Sequence, residues 1–239
     1  MEYEMNRKTN DPGLTLIVGG TGKTGRRVAD RLQARGVETR IASRSASPAF
    51  DWHEPGNWDA VLEGVSAAYV TYAPDLAVPG AAAAIRRFVD RAVAQGVTRI
   101  VLLSGRGEEE ALACEQIVMA ADIEWTIIRA GWFMQNFSEG EFLGMVLDGA
   151  ITLPAADVPE PFVDVNDIAD VAVAALTGDG HAGEVYEVTG PRLLTFTELA
   201  REISQAAGRD VQIVPVPREA FARAVAESGT PEDVAWLLD

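Results

Sequence analysis

The chain has 239 residues, and its 20 Lys and Arg against 36 Asp and Glu give a net charge of −16 at neutral pH. So acidic a surface repels phosphate backbones and anionic lipid heads, which excludes general nucleic-acid or membrane-surface binding and leaves a small or locally recognised partner. With 48% apolar residues the chain can build a sizeable core, so disorder as its main state is excluded as well. The single cysteine, Cys114, rules out an intramolecular disulfide framework and a multi-cysteine zinc site, and it fits a reducing compartment. Met1 to Gly13 is polar and lacks the apolar stretch of a signal peptide, and no later apolar run reaches the roughly 18 residues that a spanning helix needs. The expectation is a soluble, cytoplasmic protein.

Residues 1–13 read as a flexible tail. Leu14 to Val18 is a short apolar run ending in glycines, and Arg26 to Arg35 carries Val28, Ala29 and Leu32 at helical spacing, so the chain opens as strand, turn and helix. Gly36 stops that helix, and Glu38 to Ser43 reads as a second strand that completes a βαβ unit. Strands follow at Ala67 to Tyr72, Arg99 to Leu103 and Glu124 to Ile128, with helical periodicity over Ala81 to Gln95 and Glu108 to Ala121. This alternation predicts a parallel sheet covered on both faces. Beyond Gly131 it loosens into a segment marked by Trp132, Phe133, Phe137, Phe142, Pro154, Pro159 and Pro161, the place for a substrate region. A helix from Asn166 or Asp167 to Leu176, a strand at Glu184 to Val188, a helix from Thr197 to Ala207 and a strand at Val211 to Val216 complete the reading. Thr195 and Glu198 stand at capping-box spacing. The fold class is therefore α/β, a Rossmann-type doubly wound parallel sheet with a small C-terminal α/β substrate region.

Gly19, Gly22 and Gly25 in Gly19-Gly20-Thr21-Gly22-Lys23-Thr24-Gly25 are spaced as GxxGxxG between the first strand and the first helix. A glycine at the strand end permits a tight turn, the next lets backbone approach a pyrophosphate, and the third lets the helix pack closely on the sheet. A nucleoside-triphosphate P-loop is the competing reading of Gly22-Lys23-Thr24, but its first glycine would fall at Ile17. After the second strand, where an NAD-binding chain places a carboxylate, the sequence reads Ala42-Ser43-Arg44-Ser45, with no acid until Asp51. An arginine and two hydroxyls suit a ribose 2′-phosphate, which favours NADP over NAD.

With these pieces, and with Phe50-Asp51-Trp52, Val101-Leu102-Leu103-Ser104, Trp125 to Phe133, Asp164 to Ala169 and Tyr186 to Pro191, the chain resembles the NmrA-like branch of the atypical short-chain dehydrogenase/reductases. The branch includes NADPH-dependent quinone and azo-compound reductases. The resemblance implies a sheet of order 3-2-1-4-5-6, an NADP-binding Rossmann domain over 14–131 and a smaller substrate or lid region over 132–239. It implies that Gly19, Thr21, Gly22, Lys23, Thr24 and Gly25 serve the pyrophosphate and Arg44 the 2′-phosphate. Asp51 and Trp52 would lie by the adenine, Tyr72, Ala73 and Pro74 by the ribose, and Ser104 near the nicotinamide. Trp132, Phe133, Asn136, Phe137 and Phe162 would line the substrate side, a flat aromatic pocket suited to a quinone.

The departures bear on mechanism. Catalytic relatives pair a Tyr with a Lys four residues on, but the only lysines here are Lys8 and Lys23, and neither stands so to Tyr3, Tyr69, Tyr72 or Tyr186. Where that pair should fall the chain has Gly107 to Gln116, whose Glu108, Glu109 and Glu110 suit a helix N-terminus and solvent. Ser104 or Asn136, or water, is left to supply a hydrogen bond. A nucleophilic Cys114 would need a base beside it, and His53 and His181 show no metal-ligand spacing, His181 reading as an exposed turn. Ala130 replaces the usual Pro of an Arg-Pro-Gly signature, and the apolar Trp236-Leu237-Leu238 at the end suggests a truncated chain or one more helix, with part of a lid or dimer face beyond it. Three functions stay open. One is an NADPH-dependent reductase of quinone-like acceptors, another a non-catalytic NADP sensor acting on a protein partner, and the third a tailoring enzyme for an aromatic natural product. A homodimer is compatible with each.

Overall fold

The computed structural model describes residues 13–154 and 156–227, so the tail and the apolar terminus read from the sequence lie outside the described residues. Strand β1 (Thr15–Val18) is buried along its whole length and leads through the glycine turn into helix α1 (Lys23–Ala34). Helix α1 buries Val28, Ala29 and Leu32 against the sheet and turns its arginines outward. Strand β2 (Thr39–Ala42), a short helix α2 (Trp58–Leu62), strand β3 (Ala67–Val70) and helix α3 (Ala81–Ala94) follow. Then come β4 (Arg99–Gly105), α4 (Ala111–Met119) and β5 (Glu124–Ala130).

The C-terminal third holds α5 (Leu143–Asp148), β6 (Ala150–Leu153), β7 (Pro159–Glu160) and α6 (Val165–Thr177), then β8 (Glu184–Val188), β9 (Leu194–Thr195), α7 (Phe196–Ala207), β10 (Gln212–Pro215) and α8 (Arg218–Glu227). Helix α6 starts at Asp164, whose carboxylate accepts from the Asn166 amide at 2.7 Å. Helix α7 starts on the expected capping box of Thr195 and Glu198.

The main sheet is parallel throughout, in the order β2-β1-β3-β4-β5-β8. The implied order 3-2-1-4-5-6 is therefore corrected: the third strand pairs directly with β1, and no described strand flanks β2 on its outer side. The reason is length. Residues 43–66 hold one single-turn 3₁₀ segment at Pro55–Asn57 and the five-residue α2, whereas a further strand and its own crossover helix need well over ten more residues. The segment is consolidated by aromatic packing instead. Phe50 stacks on Trp58 at 5.5 Å, and Trp52 and Phe88 meet these rings edge-on.

Three apolar clusters result. One joins the sheet to α2, α3 and α4, a second joins it to α1 and α6, and a third lies in the C-terminal third around Phe137, Phe142, Phe162, Phe196 and Phe221. Strand β6 pairs with β10 beside this third cluster, and β7 pairs with β9. An isolated parallel bridge pairs Phe133, just past β5, with Val163, just before α6.

Trp58 is fully buried, and its indole N–H donates to the Asp51 carbonyl at 2.8 Å. Trp58→Ala removes the centre of the aromatic cluster and is expected to destabilise the chain by about 3–5 kcal/mol, read as a lower midpoint in urea unfolding.

Candidate functional site

The C-terminal ends of β1, β3 and β4 form one rim, and the strand order reverses between β1 and β3. Outside such a reversal an open α/β sheet has its natural crevice. The glycine turn stands at this point. Gly19 has φ +70°, a left-handed conformation that a side chain resists, and its amide donates to the Ala42 carbonyl at 3.0 Å. A Cβ at Gly25 would overlap the backbone of Gly19, so glycine here sets the distance between α1 and the turn. Gly22 caps α1 without a side chain, and the first turn holds no acid. The turn therefore presents uncapped amides and the positive end of the helix dipole, which fits a pyrophosphate. Thr21 is exposed and Thr24 buried, with Thr24 beside the Tyr69 hydroxyl. That hydroxyl is buried without a hydrogen bond of normal geometry, and burial raises its pKa.

Arg44 is exposed just past β2 and forms no ion pair among the described residues. Beside it the Ser43 and Ser45 hydroxyls lie 3.3 Å apart. Asp51 accepts from the His53 amide at 2.9 Å and so shapes its own turn. Trp52 is only 7% exposed, its ring held in the aromatic cluster with Tyr72 at 5.0 Å. It can back an adenine site but offers no free face. At the end of β3 the Thr71 hydroxyl donates to the Val18 carbonyl at 3.1 Å, tying Tyr72-Ala73-Pro74 to the turn after β1.

Ser104 is 4% exposed and its hydroxyl donates to Glu115 Oε1 at 2.7 Å. Glu115 also receives Arg129, through Nε at 3.0 Å and Nη2 at 2.6 Å. The expected Ser104 donor is thus already spent on a buried carboxylate. Asn136 lies in a 3₁₀ turn (Met134–Asn136) next to the path of Lys23, whose ammonium reaches Glu141 at 3.2 Å. Arg26 and Arg27 both bind Glu139, and Arg27 and Arg31 both reach Asn166. A row of α1 cations therefore holds the substrate-side loop and α6 against the glycine turn. Phe137 and Phe162 are buried and in ring contact with each other and with Phe142 and Phe196, so they serve as core. Trp132 and Phe133 stay half-buried and available.

One of the glutamates expected to face solvent does not. Of the three glutamates after Gly107, Glu109 and Glu110 are exposed as expected, but Glu108 folds back over the end of β4. Its carboxyl occupies the space that a Cβ on Gly105 would take, and its Oε2 is buried with no hydrogen bond of normal geometry while facing the Asp75 carboxyl. Asp75 is fixed by accepting from the Ala77 amide at 2.8 Å. Burial first, then the Asp75 charge, pushes the Glu108 carboxyl up to about 8. Nothing in the letters separates Glu108 from its two neighbours, and only the glycine turn at Gly107 hints at the reversal. Cys114 is buried, and burial pushes its thiol up to about 11, so it is no nucleophile. His181 is half-buried rather than an exposed turn residue, with its ring bonded to Tyr186 at 2.8 Å. Among the described residues no cluster suits a metal ion, and no helix is long and apolar enough to cross a membrane.

Residues 109–236 match the model of the NmrA-like family. Agroclavine dehydrogenase of Claviceps fusiformis is 32% identical over 93% of this chain and 83% of its own. An NAD(P)H azoreductase of Xenophilus azovorans is 30% identical over 95% of this chain and 85% of its own. Among solved structures, an NADPH-dependent quinone oxidoreductase from Escherichia coli, complexed with NADPH, superposes with a TM-score of 0.77 at 22% identity, over 94% of this chain and 86% of its own.

Two predictions follow from the carboxyls. Arg129→Met strands Glu115 without its guanidinium and is expected to cost about 3 kcal/mol, the low end for a buried pair because Arg129 is still 27% exposed; Glu115→Leu with Arg129→Met should recover most of it in urea unfolding. For Glu108 the folded carboxyl titrates above its ordinary 4.5, so the unfolded chain ionises first and wild-type stability falls as pH rises from 4.5 to about 8. Glu108→Gln abolishes this loss, so its Tm should equal or approach wild type near pH 4.5 and exceed it at pH 9, by about 2–4 °C for each kcal/mol regained.

Proposed function

We propose that this chain, which belongs to the NmrA-like family and is an NAD(P)H-dependent oxidoreductase, takes NADPH and reduces a planar conjugated acceptor of the quinone type. The observation that carries this reading is the uncapped, glycine-lined start of α1 facing the crevice between β1 and β3, with Arg44 exposed just past the end of β2 and without an ion pair among the described residues. In this reading Thr21, Gly22, Lys23 and Thr24 hold the pyrophosphate through the amides of the turn and the first helical turn. Arg44, with Ser43 and Ser45, holds the 2′-phosphate by charge-assisted hydrogen bonds. Asp51 and Trp52 back the adenine, and Tyr72, Ala73 and Pro74 the ribose. When bound, the dihydronicotinamide supplies two electrons and a hydrogen to the acceptor.

The rest of the chain positions and shields. Residues 132–227 make the acceptor side, where Trp132 and Phe133 offer ring surface and Asn136 an amide beside the glycine turn. The ion pairs of Lys23, Arg26 and Arg27 with Glu141 and Glu139 tie that side to α1. No Tyr-Lys pair is available from the two lysines of the sequence, which favours an acceptor that delocalises the incoming negative charge over one that needs a strong acid at the carbonyl.

Titration of the protein with NADPH and NADH, followed through its five tryptophans, tests the cofactor assignment. NADPH should bind more tightly, and Arg44→Ala should weaken NADPH by about 10- to 100-fold while leaving NADH nearly unchanged. Equal loss for both nucleotides would remove the 2′-phosphate role, and oxidation of NADPH with no member of a quinone panel would remove the acceptor.

A further inference from the structure

We propose that Glu108 is the proton donor of the reduction, its carboxyl delivering a proton to the oxyanion that forms on the acceptor. The inference rests on the reductase reading and adds the group that the missing Tyr-Lys pair leaves unassigned. Three features of the fold carry it. Glu108 stands in the Gly107–Gln116 segment where that pair would fall, and its carboxyl lies over the end of β4 and beside the loop that follows β3, on the same rim as the glycine turn. Gly105 gives it room, since any side chain there would occupy the same space. Its Oε2 is buried against the Asp75 carboxyl, with no cation or backbone donor to offset the two acids, a cost that a structural carboxylate would relieve by turning to solvent like Glu109 and Glu110.

The competing donor is already committed. Ser104 gives its hydroxyl proton to Glu115, which Arg129 holds in place. The groups that face Glu108 are Asp75 from the loop after β3 and Glu110 on its own turn, both acidic, with neighbouring Arg106 drawn away to Glu187 at 3.2 Å. Cys114 on α4 also feels Asp75 but is buried and keeps its proton. These surroundings favour the neutral acid and leave it protonated at neutral pH, its pKa being near 8.

The step balances. The acceptor takes a hydrogen with two electrons and becomes an oxyanion. The Glu108 O–H bond then breaks as an O–H bond forms on that oxygen, giving the neutral quinol. Glu108 is left as a carboxylate and regains a proton from water. Rate should be flat below about pH 8 and fall above it as Glu108 ionises, the direction expected of an acid that must start protonated.

The experiment compares wild type with Glu108→Gln on two acceptors. 1,4-Naphthoquinone needs the proton, whereas a triarylmethyl cation becomes neutral on accepting hydride and needs none. Glu108→Gln should lose about 100-fold in kcat on the naphthoquinone and lose the pH break, with the cationic dye and the NADPH Kd from tryptophan quenching within about two-fold of wild type. Asp75→Asn, which keeps the acceptor for the Ala77 amide, should move the break to lower pH. In cofactor-free protein, infrared difference spectra should show a protonated carboxyl band that disappears between about pH 7 and 9 and is missing from Glu108→Gln. Equal losses on both acceptors, or no carboxyl titrating in that range, would overturn the donor role while leaving the reductase reading intact. A wild-type chain that binds NADPH but reduces neither acceptor would overturn both.

Discussion

The close approach of α1 to the turn after β1 sets everything that follows. With Gly25 against the Gly19 backbone, the helix can lie near enough to the strand end for its first amides to open on the rim of the sheet. A methyl at Gly25 would push the helix away from the turn, and one at Gly19 would collide with the Thr71 hydroxyl at the end of β3. The same placement puts Lys23, Arg26, Arg27 and Arg31 in a row along one side of α1, where Glu139, Glu141, Asn166 and Asp170 meet them. Each exposed pair contributes little alone, but together they fix the orientation of the C-terminal third at low entropic cost per contact, since each cation already sits on a rigid helix. One helix thus presents its uncapped first turn at the rim of the sheet and ties the loop after β5 and α6 to its side.

The shortened segment after β2 has a related effect. Without a described strand outside β2, Arg44 stands exposed at the sheet's edge just past the buried Ala42. The segment still has to be rigid enough to place Arg44 and Asp51, and the packing of Phe50, Trp52, Trp58 and Phe88 supplies that rigidity in place of secondary structure. Aromatic rings suit the task, as each buries a large area while having few rotamers to lose.

Much of this was legible because it is local. The apolar runs that became β1, β4 and β5, the capping box of α7 and the glycine turn follow from spacing alone, and Glu184–Val188 was read with its bounds as observed. The sheet order was not legible from letters, because it depends on how much chain separates two strands rather than on what either strand contains. The short elements α2, α5, β6, β7 and β9 were passed over for want of a full period. The substrate-side rings show a third kind of limit. Trp132, Phe133, Phe137 and Phe162 look alike in sequence, yet two are buried and two remain half-buried, although Trp132 touches the same Phe142 and Phe196 rings that meet Phe137 and Phe162.

Glu108 and Glu115 carry the same side chain within one turn-and-helix segment, and their surroundings separate them. Glu115 points into the sheet, where Ser104 and Arg129 donate to it from paired positions on β4 and β5, so its charge is met by donors on every side. Glu108 points over the sheet's end, where Gly105 offers no donor and Asp75 offers a second negative charge. The first arrangement holds β4, β5 and α4 together; the second raises the pKa of a half-buried carboxyl at the end of β4. A fold whose net charge is −16 has carboxyls to spare, and what raises the pKa of this one is burial at a glycine-lined spot, with the Asp75 charge beside it.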